Sequence, residues 1–272
     1  MEVRTSPWRE VQIKVKSTEL EALGLPVTLL RASIGWNDAW PFSVISMHDS
    51  MTITLPPGDY ESLFYETEIW AIQRPSFSVS AGSGALRLEV DLPATRLARL
   101  YGKAAPELDS IQAWKGAGPL KLADLRGKAV ILDFWGSWCG PCVAQMPELV
   151  DLYLEYHDRG LEVIAVHTAL AETDADFGEQ VAGLVRNSWN GRELPFPLAI
   201  DQPTAEIRPG STRPFRGQTI AEYGITLFPT AILIDREGRV VGEFSYAGGR
   251  GRDMLAKALG LPMPPTEAPP SP

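Results

Sequence analysis

Two cysteines are all that this 272-residue chain contains, and both stand in one Cys-x-x-Cys, Cys139 to Cys142. That scarcity leaves no cysteine for a structural disulfide elsewhere, so stability has to come from burial. A secreted scaffold spreads its cysteines along the chain, which points to chemistry or a metal for this pair. Zinc is poorly served. A closed zinc site takes about four ligands, and no pair among His48, His157 and His167 has ligand spacing. Excess positive charge is missing too. The formal net charge is -9, whereas a nucleic-acid surface needs a basic face. No uninterrupted apolar run approaches the roughly 18 residues expected of a membrane span. The opening Met1-Glu2-Val3-Arg4-Thr5-Ser6-Pro7 has no apolar core of a secretory signal, although a processed chain would look the same.

What is present suits a soluble chain with a full core: hydrophobic content is 44% and charged content 22%. The length suggests about two domains. Over the first hundred or so residues, Val11 to Lys16, Met51 to Leu55 and Leu86 to Leu92 alternate apolar and polar side chains, the pattern of half-buried strands. Turn signals separate them at Leu25-Pro26, Trp40-Pro41, Pro56-Pro57-Gly58-Asp59 and Ala81-Gly82-Ser83-Gly84. Short strands at this spacing predict a small all-β, antiparallel sandwich over 1–102.

From 103 to 261 the texture changes. Ala129 to Trp135 is a buried strand by its apolar run, and Val143 to His157 has helical spacing with Met146, Leu149, Val150, Leu152 and Tyr153 inward. Leu161 to Val166, Pro197 to Ile200, Thr230 to Asp235 and Val240 to Phe244 read as further strands; Phe177 to Asn187 and Arg252 to Leu259 read as helices. Strands alternating with helices predict a partly parallel sheet, with the late hairpin as an antiparallel edge. Residues 262–272, rich in proline and polar side chains, predict a disordered tail.

A strand, a short turn and then Cys-x-x-Cys opening a helix place Cys139 at a helix N-terminus. Unpaired N–H groups and the helix dipole stabilise negative charge there, which lowers a thiol's pKa. Cys139 is therefore the expected nucleophile on a disulfide, and Cys142, one turn on, the resolving thiol.

Asp133-Phe134-Trp135-Gly136-Ser137-Trp138-Cys139-Gly140-Pro141-Cys142 resembles the active-site segment of thioredoxins. Ala105-Pro106-Glu107-Leu108, Leu125-Arg126-Gly127-Lys128 and the extra segment from Thr173 to Ile200 resemble the TlpA/ResA branch of thioredoxin-like disulfide reductases. The likeness covers about residues 104 to 260. It implies an α/β thioredoxin-like fold, a mixed sheet flanked by helices, following the sandwich. It implies a cis Pro229 after Phe228, facing the cysteines, and substrate contact through Trp138, Gly140, Pro141, Phe228 and Pro229. It implies no cofactor beyond the Cys139–Cys142 disulfide. Partners implied are a disulfide-containing protein substrate and an upstream thiol electron donor, membrane-embedded in that branch, outside the cytoplasm. Pro147 matches the proline inside the thioredoxin helix. Separately, Leu55 to Tyr60 resembles a segment of carboxypeptidase-regulatory-like sandwiches.

Asp133 sits where thioredoxins carry a buried aspartate. Burial raises such a pKa, and the carboxylate could take the proton from Cys142. The TlpA/ResA branch instead places a glutamate three residues after the second cysteine; here that position is Gln145, which transfers no proton. Glu148 competes, at a more surface-like helical position. His167 ends the neighbouring strand. The stretch from Asp201 to Gly217 either shapes substrate access or is a tolerated insertion.

Gly140-Pro141 between the cysteines matches reducing thioredoxins more than strongly oxidising relatives, so the resemblance favours protein-disulfide reduction. Two other functions stay open. A thiol peroxidase of peroxiredoxin type normally has Thr or Ser three residues before its cysteine, where this chain has Gly136. A binding or scaffold protein would use the N-terminal domain, with the redox domain as an accessory.

Overall fold

The computed structural model describes residues 8–25, 30–36, 39–46, 49–64, 71, 73–82, 84–169, 174–208, 212–246 and 249–262. His48 and all but the first residue of the proline-rich tail expected over 262–272 lie outside them. The chain divides into two compact units, Met1–Arg99 and Leu100–Pro272.

In the first unit, β1 (Arg9–Lys16), β4 (Ser50–Leu55) and β7 (Leu86–Asp91) form one sheet in the order β4-β1-β7. A second sheet has the order β3-β2-β5-β6, from β2 (Leu30–Trp36), β3 (Ala39–Ser46), β5 (Gly58–Phe64) and β6 (Ser76–Val79). Alternation governs the burial: Val11, Ile13 and Val15 of β1 are buried, while their neighbours Glu10, Gln12 and Lys14 are not. The antiparallel expectation needs correction. β1 runs antiparallel to β4 but parallel to β7, with Val11 opposite Leu86 and Ile13 opposite Leu88. Alternating hydrophobicity selects a face and carries no strand direction. Two one-turn helices, α1 (Thr18–Ala22) and α2 (Arg96–Leu100), also interrupt the strands. Ser17 caps α1, its hydroxyl accepting the Leu20 N–H at 3.2 Å.

The second unit is built on one six-stranded sheet. Its strands are β8 (Ile111–Lys115), β9 (Ala129–Trp135), β10 (Leu161–His167), β11 (Leu198–Asp201), β12 (Thr230–Ile234) and β13 (Val240–Phe244), in the order β13-β12-β9-β10-β11-β8. β9, β10 and β11 are parallel; β12, β13 and β8 join antiparallel. The helices are α3 (Gly140–Tyr156), α4 (Asp174–Asn187), α5 (Gln218–Tyr223) and α6 (Gly249–Leu259). β9 and β10 are buried at every residue, as parallel strands covered on both faces must be. The sequence reading anticipated one antiparallel edge; β8 supplies the other.

One contact explains how α3 tolerates Pro147. A proline has no N–H to give the carbonyl four residues back, which leaves the Val143 oxygen without its helical donor. The buried Trp189 indole takes that place, its Nε1–H donating to Val143 O at 2.8 Å.

Candidate active site

Cys139 is the N-cap residue of α3, in extended conformation, and Pro141 lies in the helix's first turn. The two cysteines are joined as a disulfide with Cα atoms 5.2 Å apart. The Cys142 N–H points back at Cys139 Sγ, 3.3 Å away. The helix thus directs one N–H and its positive end at the Cys139 sulfur. Cys142, one turn inside, is more deeply buried. Gly140 and Pro141 are exposed between them.

The turn ahead of Cys139 is clamped. The Ser137 N–H donates to His167 Nε2 at 2.8 Å, and His167 Nδ1 lies 2.8 Å from Thr168 O. An imidazole that accepts at Nε2 must carry its proton at Nδ1 to donate to a carbonyl, so His167 is neutral in this arrangement. The ring is fully buried, edge-on to Trp135 at 4.8 Å. His167 therefore holds the active-site turn in place through backbone. His157 lies on the exposed end of α3's continuation, against Tyr153.

Trp138 is 52% exposed and forms one wall beside the cysteines. Its ring meets Phe228 edge to face at 5.7 Å, the Arg216 guanidinium lies 4.2 Å above it, and its Nε1–H points at Thr168 Oγ1 across 3.4 Å. Gly136 lies against this ring: a Cβ there would stand 2.6 Å from indole atoms, so the ring would have to shift. The Phe228–Pro229 peptide bond is cis, and Thr230, next in the chain, pairs with Phe134 of the motif strand. Phe228 and Pro229 are half-buried, and Leu227 is exposed.

Asp133 is placed by its strand. β9 residues Ala129, Ile131 and Trp135 share the core cluster with Cys139 and Cys142, and alternation puts Asp133 on their face. Its lateral neighbours, Ala165 of β10 and Ala231 of β12, are small and belong to that cluster. The side chain is buried, and the Tyr246 hydroxyl donates to its Oδ1 at 3.0 Å. Burial pushes its pKa up to about 7, and the Tyr246 hydrogen bond offsets part of that rise. Tyr246 in turn titrates well above the ordinary tyrosine range, through burial and then the Asp133 charge. Gln145 is half-buried and Glu148 exposed. Among the described residues no group of three or more His, Cys, Asp or Glu side chains could hold a metal ion.

Sequence reasoning missed Tyr246 and Arg216. Neither lies in a motif, and each reaches the site only through the fold.

The Redoxin family model matches residues 100–259. This chain belongs to the Redoxin family. Its residues carry the α/β thioredoxin-like arrangement, a mixed sheet with flanking helices. A thiol-disulfide oxidoreductase ResA of Bacillus thuringiensis subsp. konkukian is 36% identical over 140 residues, 52% of this chain and 66% of the relative. One of Halalkalibacterium halodurans is 32% identical over 145 residues, 53% of this chain and 68% of the relative. A solved thiol-disulfide isomerase from Corynebacterium glutamicum is 26% identical, with a TM-score of 0.43, covering 57% of this chain and 94% of the other. The chain spans between 57% and 66% of the length of several Bacillus relatives that it matches.

Proposed function

We propose that this redoxin is a thiol–disulfide oxidoreductase that reduces protein disulfides, with Cys139 as nucleophile and Cys142 as resolving thiol. The observation that carries the reading is the placement of Cys139 as the N-cap of a 17-residue helix, with the Cys142 N–H on its sulfur.

The Cys139 thiolate attacks one sulfur of a substrate disulfide. That S–S bond breaks, one substrate thiolate leaves and is protonated, and a Cys139–substrate disulfide forms. Cys142 then gives its proton to Asp133 and attacks Cys139 Sγ, releasing the second substrate thiolate and closing the Cys139–Cys142 disulfide. Two electrons pass from the cysteine pair to the substrate. Asp133 is suited to accept a proton at neutral pH because its pKa is near 7. Trp138, Gly140, Pro141, Phe228 and Pro229 form the surface that meets the substrate, Pro229 offering backbone edge pairing to an extended segment.

The reductant is an upstream thiol donor and the place of work is outside the cytoplasm, both taken from the family resemblance; the relatives' names support the thiol–disulfide chemistry itself. Residues 1–102 are read as a separate β-sandwich domain, 103–261 as the redox domain and 262–272 as a tail. The peroxidase alternative is disfavoured by Gly136, which supplies no hydroxyl at the position three residues before Cys139.

The test is insulin reduction by the full chain, supplied either with dithiothreitol or with thioredoxin reductase. Turnover with dithiothreitol alone is expected. Absence of turnover with both, or full activity after Cys139→Ser, would remove the proposal and leave the scaffold reading.

A further inference from the structure

The segment between β11 and α5 is long for a simple connection, and it ends against the active-site indole. Described residues 202–208 and 212–217 fold back on each other. The Arg208 N–H donates to Arg213 O at 3.1 Å, and the Phe215 N–H to Glu206 O at 2.8 Å. Its far end is pinned. Phe215 is buried, and the Ala169 N–H donates to Arg216 O at 2.7 Å. Gly217 has no room for a Cβ beside the Asp201 carboxylate. Arg216 is thus held at its backbone on both sides, and its exposed guanidinium stacks over Trp138, the residue just before Cys139.

Among the described residues no carboxylate pairs with Arg216. A guanidinium is always charged, and its N–H groups can hold a carboxylate in a bidentate pair. The chain as a whole carries a net charge of -9, yet charges farther than a Debye length of about 8 Å are largely screened at physiological salt. Arg216 lies well inside that range of Trp138, so a substrate segment lying on the indole feels its charge.

We propose that Arg216 selects the substrate: the site prefers polypeptide disulfides whose attacked cysteine is flanked by Asp or Glu, the carboxylate pairing with Arg216 while the chain lies on Trp138 and Phe228. This inference rests on the disulfide-reductase reading above. Arg216 is then a specificity residue, and Trp138 is the surface beside which its charge meets the substrate.

The test uses two disulfide peptides, identical except for Asp or Lys beside the cysteine. kcat/KM is measured with the full-length chain under dithiothreitol turnover, at low and high salt. The Asp-to-Lys rate ratio of the wild type is expected to exceed that of Arg216→Gln by about 25-fold at low salt, about fivefold from attraction of the Asp peptide and about fivefold from repulsion of the Lys peptide, the factors for unit charges about 4 Å apart in water. The gap should close near 1 M salt. Comparing the two proteins cancels the peptides' intrinsic reactivities. Arg216→Lys should keep most of the preference and Arg216→Glu should invert it. A merely structural Arg216 would slow both peptides equally, and an unchanged ratio in Arg216→Gln overturns the proposal. A wild type that reduces neither peptide removes the reductase reading and this inference with it.

Discussion

The two units bury different kinds of polar group. In the first, the buried polar side chains among the described residues are hydroxyls: Ser17, Ser33, Ser62 and Thr95. In the second, Asp133, Glu162, His167 and Asp201 carry ionisable groups inside. A hydroxyl is inexpensive to bury once it is bonded, as Ser17 is to Leu20 N–H and Ser62 to Pro75 O. An ionisable group loses several kcal/mol of hydration unless it is compensated. Three of the four have visible compensation. Glu162 meets Lys128 at 3.0 Å, and Asp201 accepts the N–H groups of Gln202, Thr219 and Ile220. His167 is neutral between a donor and an acceptor. Asp133 has one partner, Tyr246. A carboxylate buried with so little support is a poor structural element, and it lies on the same face of the sheet as the cysteine pair. The contrast sets Asp133 apart from the other buried ionisable groups, in line with the proton-transfer role proposed for it.

The contrast breaks most sharply at the cysteines. Cys139→Ser should lower disulfide reduction by about 10³-fold or more, whereas Ser17→Ala in the first unit should leave the rate within about twofold in the same insulin assay.

Asp133→Asn tests the cost of the poorly supported carboxylate. The folded pKa of about 7 lies above the unfolded value of about 4, so the folded state holds the proton more tightly. Stability from this group is full below pH 4, declines as pH rises and levels off above about 7. The loss is on the order of 4 kcal/mol. Urea unfolding should therefore find Asp133→Asn more stable than the wild type at pH 8, with the difference vanishing near pH 4. The rate of resolution should lose its inflection near neutral pH in the same variant; an unchanged profile contradicts the proton-transfer role.

Trp189→Phe keeps a ring in the core but leaves the Val143 carbonyl without a donor. It should cost about 1–3 kcal/mol, read as a lower unfolding midpoint. The smallest effect belongs to the first unit. Ser17→Ala should cost about 1 kcal/mol by uncapping α1, with faster amide exchange confined to residues before Arg99.

Much of the second unit is legible in the sequence because its signals are local and long. β9 runs over Ala129–Trp135 as read, since a seven-residue apolar run covered on both faces has no ambiguous ends. All five inward positions named on α3 are buried. β8 escaped because five residues, Ile111–Lys115, alternate too briefly to stand out from a loop. In the first unit β2 and β3 carry no clean alternation, and the parallel pairing of β1 with β7 is a property of the fold rather than of either strand. The site divides the same way. Cys139, Cys142, Trp138 and Asp133 sit in one ten-residue segment whose chemistry is visible in line. Tyr246 meets Asp133 from 113 residues away, and Arg216 reaches Trp138 only because the preceding loop folds back. No spacing rule connects such pairs.

The most direct measurement is capture of the mixed disulfide. Cys142→Ser leaves Cys139 able to attack and removes the thiol that resolves the product. Reduced Cys142→Ser, mixed with a disulfide peptide and analysed by mass spectrometry, should accumulate one peptide per chain, bound at Cys139 and released by dithiothreitol. Cys139→Ser under the same conditions should capture far less, because Cys142 lies inside the helix, away from its N-terminal N–H groups. Equal capture by the two variants, or capture by neither, would contradict the account.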